Sequence, residues 1–242
     1  MKKTVAEHAE RFSEKAAAYD DSKSDEYHAC ASLVIDHASP ESDDVVLDLG
    51  AGTGAIALAV AEDADRVLAR DISEGMMDEG RKKAAERGLD NVEFAYGEFR
   101  DPGLDADRDV DVVTSNFALH HLADDEKREA IRVMSGTGAR RIVLGDVAFF
   151  EEPDPEAPFY SPEVDDPATV GTLVEAFTDE GFAVTAVKRV HDQVAVIVAE
   201  RIRELPALSR RDTPPEPPPA AAAVPRGRYR VVGGRGHRRA RV

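Results

Sequence analysis

Seven short apolar runs punctuate the first two hundred positions, at 45–49, 66–70, 92–95, 110–114, 141–145, 183–187 and 194–199. Most are continuous, not alternating, which is the pattern of strands covered on both faces. Stretches of helical period lie between them. Ser73 is placed to cap a helix that runs to Gly88, with Glu74 and Asp78 in its first turns. Asp124 is placed to cap another, with Ile131 and Met134 turned inward. Asp166-Pro167 opens the last, whose stripe Val170, Leu173, Val174 and Phe177 ends at Gly181.

Strands alternating with helices predict an α/β protein, a doubly wound seven-stranded, mostly parallel sheet with right-handed crossovers. The segment 188–193 is too short for a helical crossover. The last two runs therefore form a hairpin, and the last strand is antiparallel. In such a sheet a ligand sits at the carboxyl ends of the strands, beside the first one.

The first run ends there in Asp48-Leu49-Gly50-Ala51-Gly52-Thr53-Gly54 and passes into Ala55-Ile56-Ala57-Leu58-Ala59-Val60, a good helix former. Alternate glycines let a ligand lie against the backbone, and the start of a helix offers it free N–H groups. The spacing is not that of a dinucleotide loop, and Asp48 would repel a pyrophosphate while suiting a cationic amino group. This heptapeptide resembles motif I of class I S-adenosylmethionine (SAM) dependent methyltransferases. Further matches extend the likeness from about Tyr19 to Glu200. The residues around Asn116 resemble the small-molecule, ubiquinone/menaquinone-like group (methyltransferase type 11/25). They are not the Asn-Pro-Pro-Tyr of amino methylation on nucleobases.

The resemblance implies SAM as cofactor and a set of residues to hold it. Gly50, Ala51, Gly52 and Gly54 would lie against its methionine part, with Asp48 toward the ammonium. Asp71, 19 residues after Gly52, would take the ribose hydroxyls; its plainer role is capping alongside Ser73. Ile72 and Met76 or Met77 would line the adenine. Gly97-Glu98-Phe99 stands where the family has Gly-Asp-Ala/Val, so Glu98 would meet the adenine amino group with one methylene more than usual. Asn116 would shape the sulfonium pocket, and Tyr19 would close over SAM. His120 or His121 is a candidate general base, since imidazole titrates near neutrality, unless they only fix their loop. Asp146 is a second candidate, and His191 a weaker one. No residue spacing demands a metal. Residues 147–166, with Phe149, Phe150, Phe159 and Tyr160, are a candidate substrate lid, and residues 1–40 a helical cap.

The implied reaction is methyl transfer from SAM to a small-molecule acceptor. A non-catalytic SAM-binding partner protein is the alternative, against which the intact Asp48, Gly50, Gly52, Gly54 and Asp71 argue. Charge splits the chain. It holds 31 Lys and Arg against 48 Asp and Glu, a net of −17. Residues 205–242 hold nine Arg against Asp212 and Glu216, net +7, which leaves residues 1–204 at −24. So acidic a body predicts no nucleic-acid partner and suits a halophile, an archaeon by this reading, whose proteins stay soluble in high salt. The Pro/Ala/Arg-rich end at 205–242 is expected to be a disordered extension, or a reading-frame artefact, outside a methyltransferase domain at 1–204. A single cysteine, Cys30, no apolar run of membrane length, and acidic residues Glu7, Glu10 and Glu14 after the start predict a cytoplasmic protein without disulfides.

Overall fold

The computed structural model describes residues 4–105, 109–152 and 158–202. The 205–242 extension and the middle of the expected lid fall outside the described residues. Each expected apolar run becomes a strand: β1 (Val45–Leu49), β2 (Arg66–Asp71), β3 (Val92–Tyr96), β4 (Val112–Asn116), β5 (Arg141–Phe149), β7 (Phe182–His191) and β8 (Val194–Arg201). A two-residue β6 (Ala168–Thr169), not anticipated, pairs with the end of β5. The order across the sheet is β3-β2-β1-β4-β5-β8-β7. The first five run parallel, and β8 enters between β5 and β7 antiparallel to both. This is the doubly wound sheet with an antiparallel last strand that the pattern predicts.

Alternate side chains of each strand feed two cores. Val46, Val67, Val112, Val143 and Val196 face one side, with Val34, Leu58 and Met77. Leu47, Leu68, Val113, Leu144 and Ile197 face the other, with Ile131, Met134 and Phe177. Each fully buried aliphatic side chain contributes about 1.5–3 kcal/mol relative to leaving it in water. Helices α1 (Val5–Lys15), α2 (Asp25–Ala38), α3 (Ala57–Val60), α4 (Glu74–Arg87), α5 (Asp124–Gly136) and α6 (Val170–Asp179) complete the layers. The Ser73 hydroxyl accepts from Met76 N at 3.3 Å, and Gly88 ends α4 at a φ of +70°, as the sequence indicates.

Two boundaries differ. Asp124 is the first residue of α5 and not its cap; Ala123 precedes it, its N–H held by the Glu126 carboxylate at 3.0 Å. Asp166-Pro167 does not open α6. The N–H of Asp166 donates to the His120 carbonyl at 2.7 Å, β6 follows, and the Thr169 hydroxyl caps the helix by accepting from Thr172 N at 3.0 Å. That detour pins the chain ahead of α6 onto the loop after β4.

Candidate functional site

A cavity of about 290 Å³ opens at the carboxyl ends of β1, β2, β3 and β4. One wall is built from three successive strand ends. The N–H groups of Gly50 and Ala51 both donate to the Arg70 carbonyl, at 2.9 and 3.0 Å, folding the glycine loop onto β2. Gly50 has a φ of +68°, and a Cβ there would meet the Cβ of Ala118 at 2.4 Å. No side chain fits between loop and neighbour. Asp71, at the end of β2, accepts from Gly52 N at 2.7 Å with one oxygen and from Ser73 N at 2.8 Å with the other. Burial pushes its carboxyl above the usual range, although those N–H groups favour the ionised form. Each oxygen keeps a lone pair for a further donor.

Beside Asp71 the wall continues through Ile72, Met76, Gly97, Glu98 and Phe99. Of the two methionines, Met76 lines the cavity, while Met77 joins the core. The Glu98 carboxylate accepts from the Tyr96 hydroxyl at 2.6 Å. Tyr19 also faces the cavity. Its hydroxyl pKa is pushed up to about 12 by burial and by the carboxylates of Asp71 and Asp20. The Lys23 ammonium sits 3.2 Å from the centre of the Tyr19 ring. Asn116, at the end of β4, lies against the Tyr27 hydroxyl, yet its buried amide O and N meet no partner at normal hydrogen-bond geometry. A buried amide left so has hydrogen-bonding capacity to spare for a ligand or water.

Asp48 and Gly54 do not line the cavity. Asp48 stands behind the loop, accepting from the Thr114 hydroxyl at 2.8 Å and from Ala57 N at 3.2 Å. Burial raises its pKa to about 7. Its position braces the strand–helix turn from behind. A Cβ on Gly54 would come within 2.9 Å of Phe94 Cζ and 3.0 Å of Leu58 Cγ, so that glycine serves helix–strand packing.

The opposite wall is made of side chains from distant parts of the chain. After β4, Phe117 takes a φ of +53° and leads into a single helical turn, Leu119–His121. That turn sends its two histidines to different places. His120 is buried away from the cavity, with Nδ1 2.5 Å from Asp146 Oδ1, and the other Asp146 oxygen accepts from His120 N at 3.0 Å. Burial pulls the His120 pKa down, but the Asp146 carboxylate outweighs it, and the net shift is upward. His120 and Asp146 thus form an internal hydrogen-bonded pair beneath the wall, and neither lines the cavity. His121 lines the cavity. Its Nδ1 is 2.8 Å from Asp165 Oδ1, and burial together with the neighbouring His120 lowers its pKa.

The aromatics of the expected lid do not reach the cavity. Phe149 packs on Tyr160 with ring centres 5.5 Å apart, Arg189 lies over Phe150, and Phe159 meets Phe117 and His191. His191 is likewise spent on its hairpin, its Nδ1 accepting from Gln193 N at 3.2 Å. Helix α1 covers the cavity instead, through Val5, His8 and Phe12. The rings of His8 and Phe12 lie 5.0 and 5.5 Å from that of His121. His8, Phe12 and Tyr27 line the cavity and Asp165 backs His121, and the sequence pattern singled out none of the four as a site residue. The Thr4–Glu7 capping box and the i, i+4 pair His8/Phe12 were the available signals for α1.

Residues 46–137 match the family model described as a methyltransferase domain. Curated relatives include a demethylmenaquinone methyltransferase of Clavibacter sepedonicus, 38% identical over 108 residues, or 44% of this chain and 42% of that one. Another is the uncharacterized methyltransferase YcgJ of Bacillus subtilis (strain 168), 32% identical over 144 residues, 59% of this chain and 56% of that one. The chain thus spans about half the length of the curated relatives it matches. Among solved structures, the DhpI–SAH complex superposes with a TM-score of 0.63 at 23% identity, over 82% of this chain and 98% of that chain. The superposition, with a sheet whose last strand is antiparallel, makes this the class I methyltransferase fold.

Proposed function

We propose that the protein is a SAM-dependent methyltransferase acting on a small molecule, with SAM held along the wall of successive strand ends. The observation that carries this reading is the pairing of loop and acid. The glycine loop leaves no room for a Cβ at Gly50, and Asp71 presents a buried carboxylate beside it with a lone pair free on each oxygen. A ribose diol can donate to both oxygens of one carboxylate at once. Ile72, Met76 and Phe99 would sandwich the adenine, with Glu98 at its amino edge. Asn116 and Tyr19 would face the sulfonium, which answers for the amide of Asn116. The 46–137 match and the named relatives support the same reading.

When bound, SAM supplies a methyl carbon already activated for displacement. The protein must then place an acceptor atom in line and exclude water, which can provide most of the acceleration. The strongly acidic body suggests a cytoplasmic protein of a salt-rich cell, so assays belong in molar KCl. Among the described residues no helix is long and apolar enough to cross a membrane. The test is calorimetric titration of SAM, S-adenosylhomocysteine and NAD into the full chain. Micromolar binding of the first two and none of NAD is the expected result; a folded sample that binds neither SAM nor S-adenosylhomocysteine overturns the proposal.

A further inference from the structure

Beyond the SAM wall the cavity has its own chemistry. Val5, Phe12, Tyr27, Phe117 and Leu122 give it an apolar lining that includes three aromatic rings, and His121 is set among them. Asp165 occupies Nδ1 of His121 and is itself held by Ser161 N, which donates to its second oxygen at 2.8 Å. Nδ1 therefore carries the proton given to Asp165, and Nε2 is the basic nitrogen left for a substrate. We infer that His121 and Asp165 form a general-base dyad and that the methyl acceptor is a weakly acidic hydroxyl, a phenol or enol, on a planar and mostly apolar molecule. This inference rests on the SAM-dependent reading above.

The chemistry closes on these residues. The acceptor hydroxyl gives its proton to Nε2 of His121 as its oxygen bonds to the methyl carbon. The methyl–sulfur bond breaks, its electron pair stays on sulfur, and a neutral thioether leaves. The imidazolium so formed is stabilised by Asp165, as a carboxylate steadies the histidine of a hydrolase triad. The charged surroundings suit a base. His120 and its partner Asp146 lie beneath, Asp165 is at Nδ1, and His8 of α1 faces the ring. Burial and the adjacent His120 favour neutral His121, while Asp165 is kept ionised, its pKa below the usual carboxylate value despite partial burial. A thiol, already a strong nucleophile, would gain less from such a base.

The test uses the full chain with SAM and a series of para-substituted phenols as probes, in wild type, His121→Ala and Asp165→Asn. SAM affinity is measured first in each: a wild type that fails to bind SAM speaks against the methyltransferase reading, whereas loss confined to the His121 or Asp165 variant puts that residue in the SAM site and overturns the dyad. The dyad predicts turnover of phenols, a fall in kcat/KM for phenol of about 10²–10⁴-fold in His121→Ala, and a much smaller fall for 4-nitrophenol, which is largely ionised at mildly alkaline pH. Asp165→Asn should slow turnover less and move the acidic limb of the pH–rate profile. An equal loss across all phenols would mark a structural role and overturn the proposal. So would SAM binding without turnover of any phenol, or activity removed by EDTA and returned by a divalent cation.

Discussion

The two walls of the cleft are made in different ways. The wall proposed to hold SAM is local and largely backbone: three strand ends, a glycine loop, and one acid whose oxygens are held by main-chain N–H groups. The wall proposed to face the acceptor is assembled from side chains of residues 8, 12 and 121, joined by ring contacts, with Asp165 hydrogen-bonded behind His121. A wall made of backbone tolerates almost no change in shape. Side chains from separate elements can be exchanged one at a time, which is how a single cofactor site comes to serve different acceptors.

The largest effect should come from beneath the acceptor wall. Asp146→Ala strands His120 in the core, and removing one partner of a buried ion pair costs roughly 3–5 kcal/mol, read as a lowered Tm. The pH dependence has a definite sign. His120 has its pKa raised in the fold, so the pair's contribution is complete below the unfolded value and is lost as pH rises through the folded one. Asp48, raised to about 7, adds in the same direction, because its ionisation in the fold is disfavoured. His121, whose pKa is lowered, acts in the opposite sense, so the pair is read in the difference: the wild type should lose more stability between mildly acidic and alkaline pH than the Asp146 variant does. An equal or smaller loss in the wild type would show the pair to be wrongly assigned.

On the SAM wall, Gly50→Ala introduces a Cβ 2.4 Å from that of Ala118 at a positive φ, and overpacking of this kind costs about 1–3 kcal/mol. Denaturant unfolding and SAM titration should both register it; normal SAM affinity would mean the loop yields. Phe12→Ala on α1 should raise the acceptor KM more than it weakens SAM binding, which it can reach only through the Tyr19 ring 6.3 Å away. A parallel loss of SAM binding would merge the two walls into one. The smallest effect is expected from deleting residues 206–242, which should leave SAM affinity as it is in calorimetry; a large loss would make that extension part of the site.

The same contrast explains what was legible in the sequence. Apolar runs and the short 188–193 connection carried the sheet and its antiparallel last strand, because strand burial and hairpin geometry are local properties. The glycine loop, Asp71, Ile72 and Glu98 were readable because each sits at a strand end, where topology assigns a place to whatever residue stands there. Orientation within the strand–helix turn was not readable. Asp48 points behind its loop, and His120 and His121 diverge because successive residues of a tight turn face different ways. Asp165 was invisible as a partner of His121, 44 residues away, since nothing local shows where a loop returns. The same holds for Phe149 and Phe159, whose aromatic character suits a lid or packing equally well until the fold places them.

Most direct is a comparison of SAM binding by calorimetry in wild type, Asp71→Ala and His121→Ala at one salt concentration. Loss of charge-assisted hydrogen bonds of about 1.5–3 kcal/mol should weaken SAM binding roughly 10–100-fold in Asp71→Ala. His121→Ala, on the other wall, should bind SAM as the wild type does. Unchanged affinity in the Asp71 variant, or an equal loss in both, would contradict a cleft divided between a backbone-built SAM wall and a side-chain-built acceptor wall.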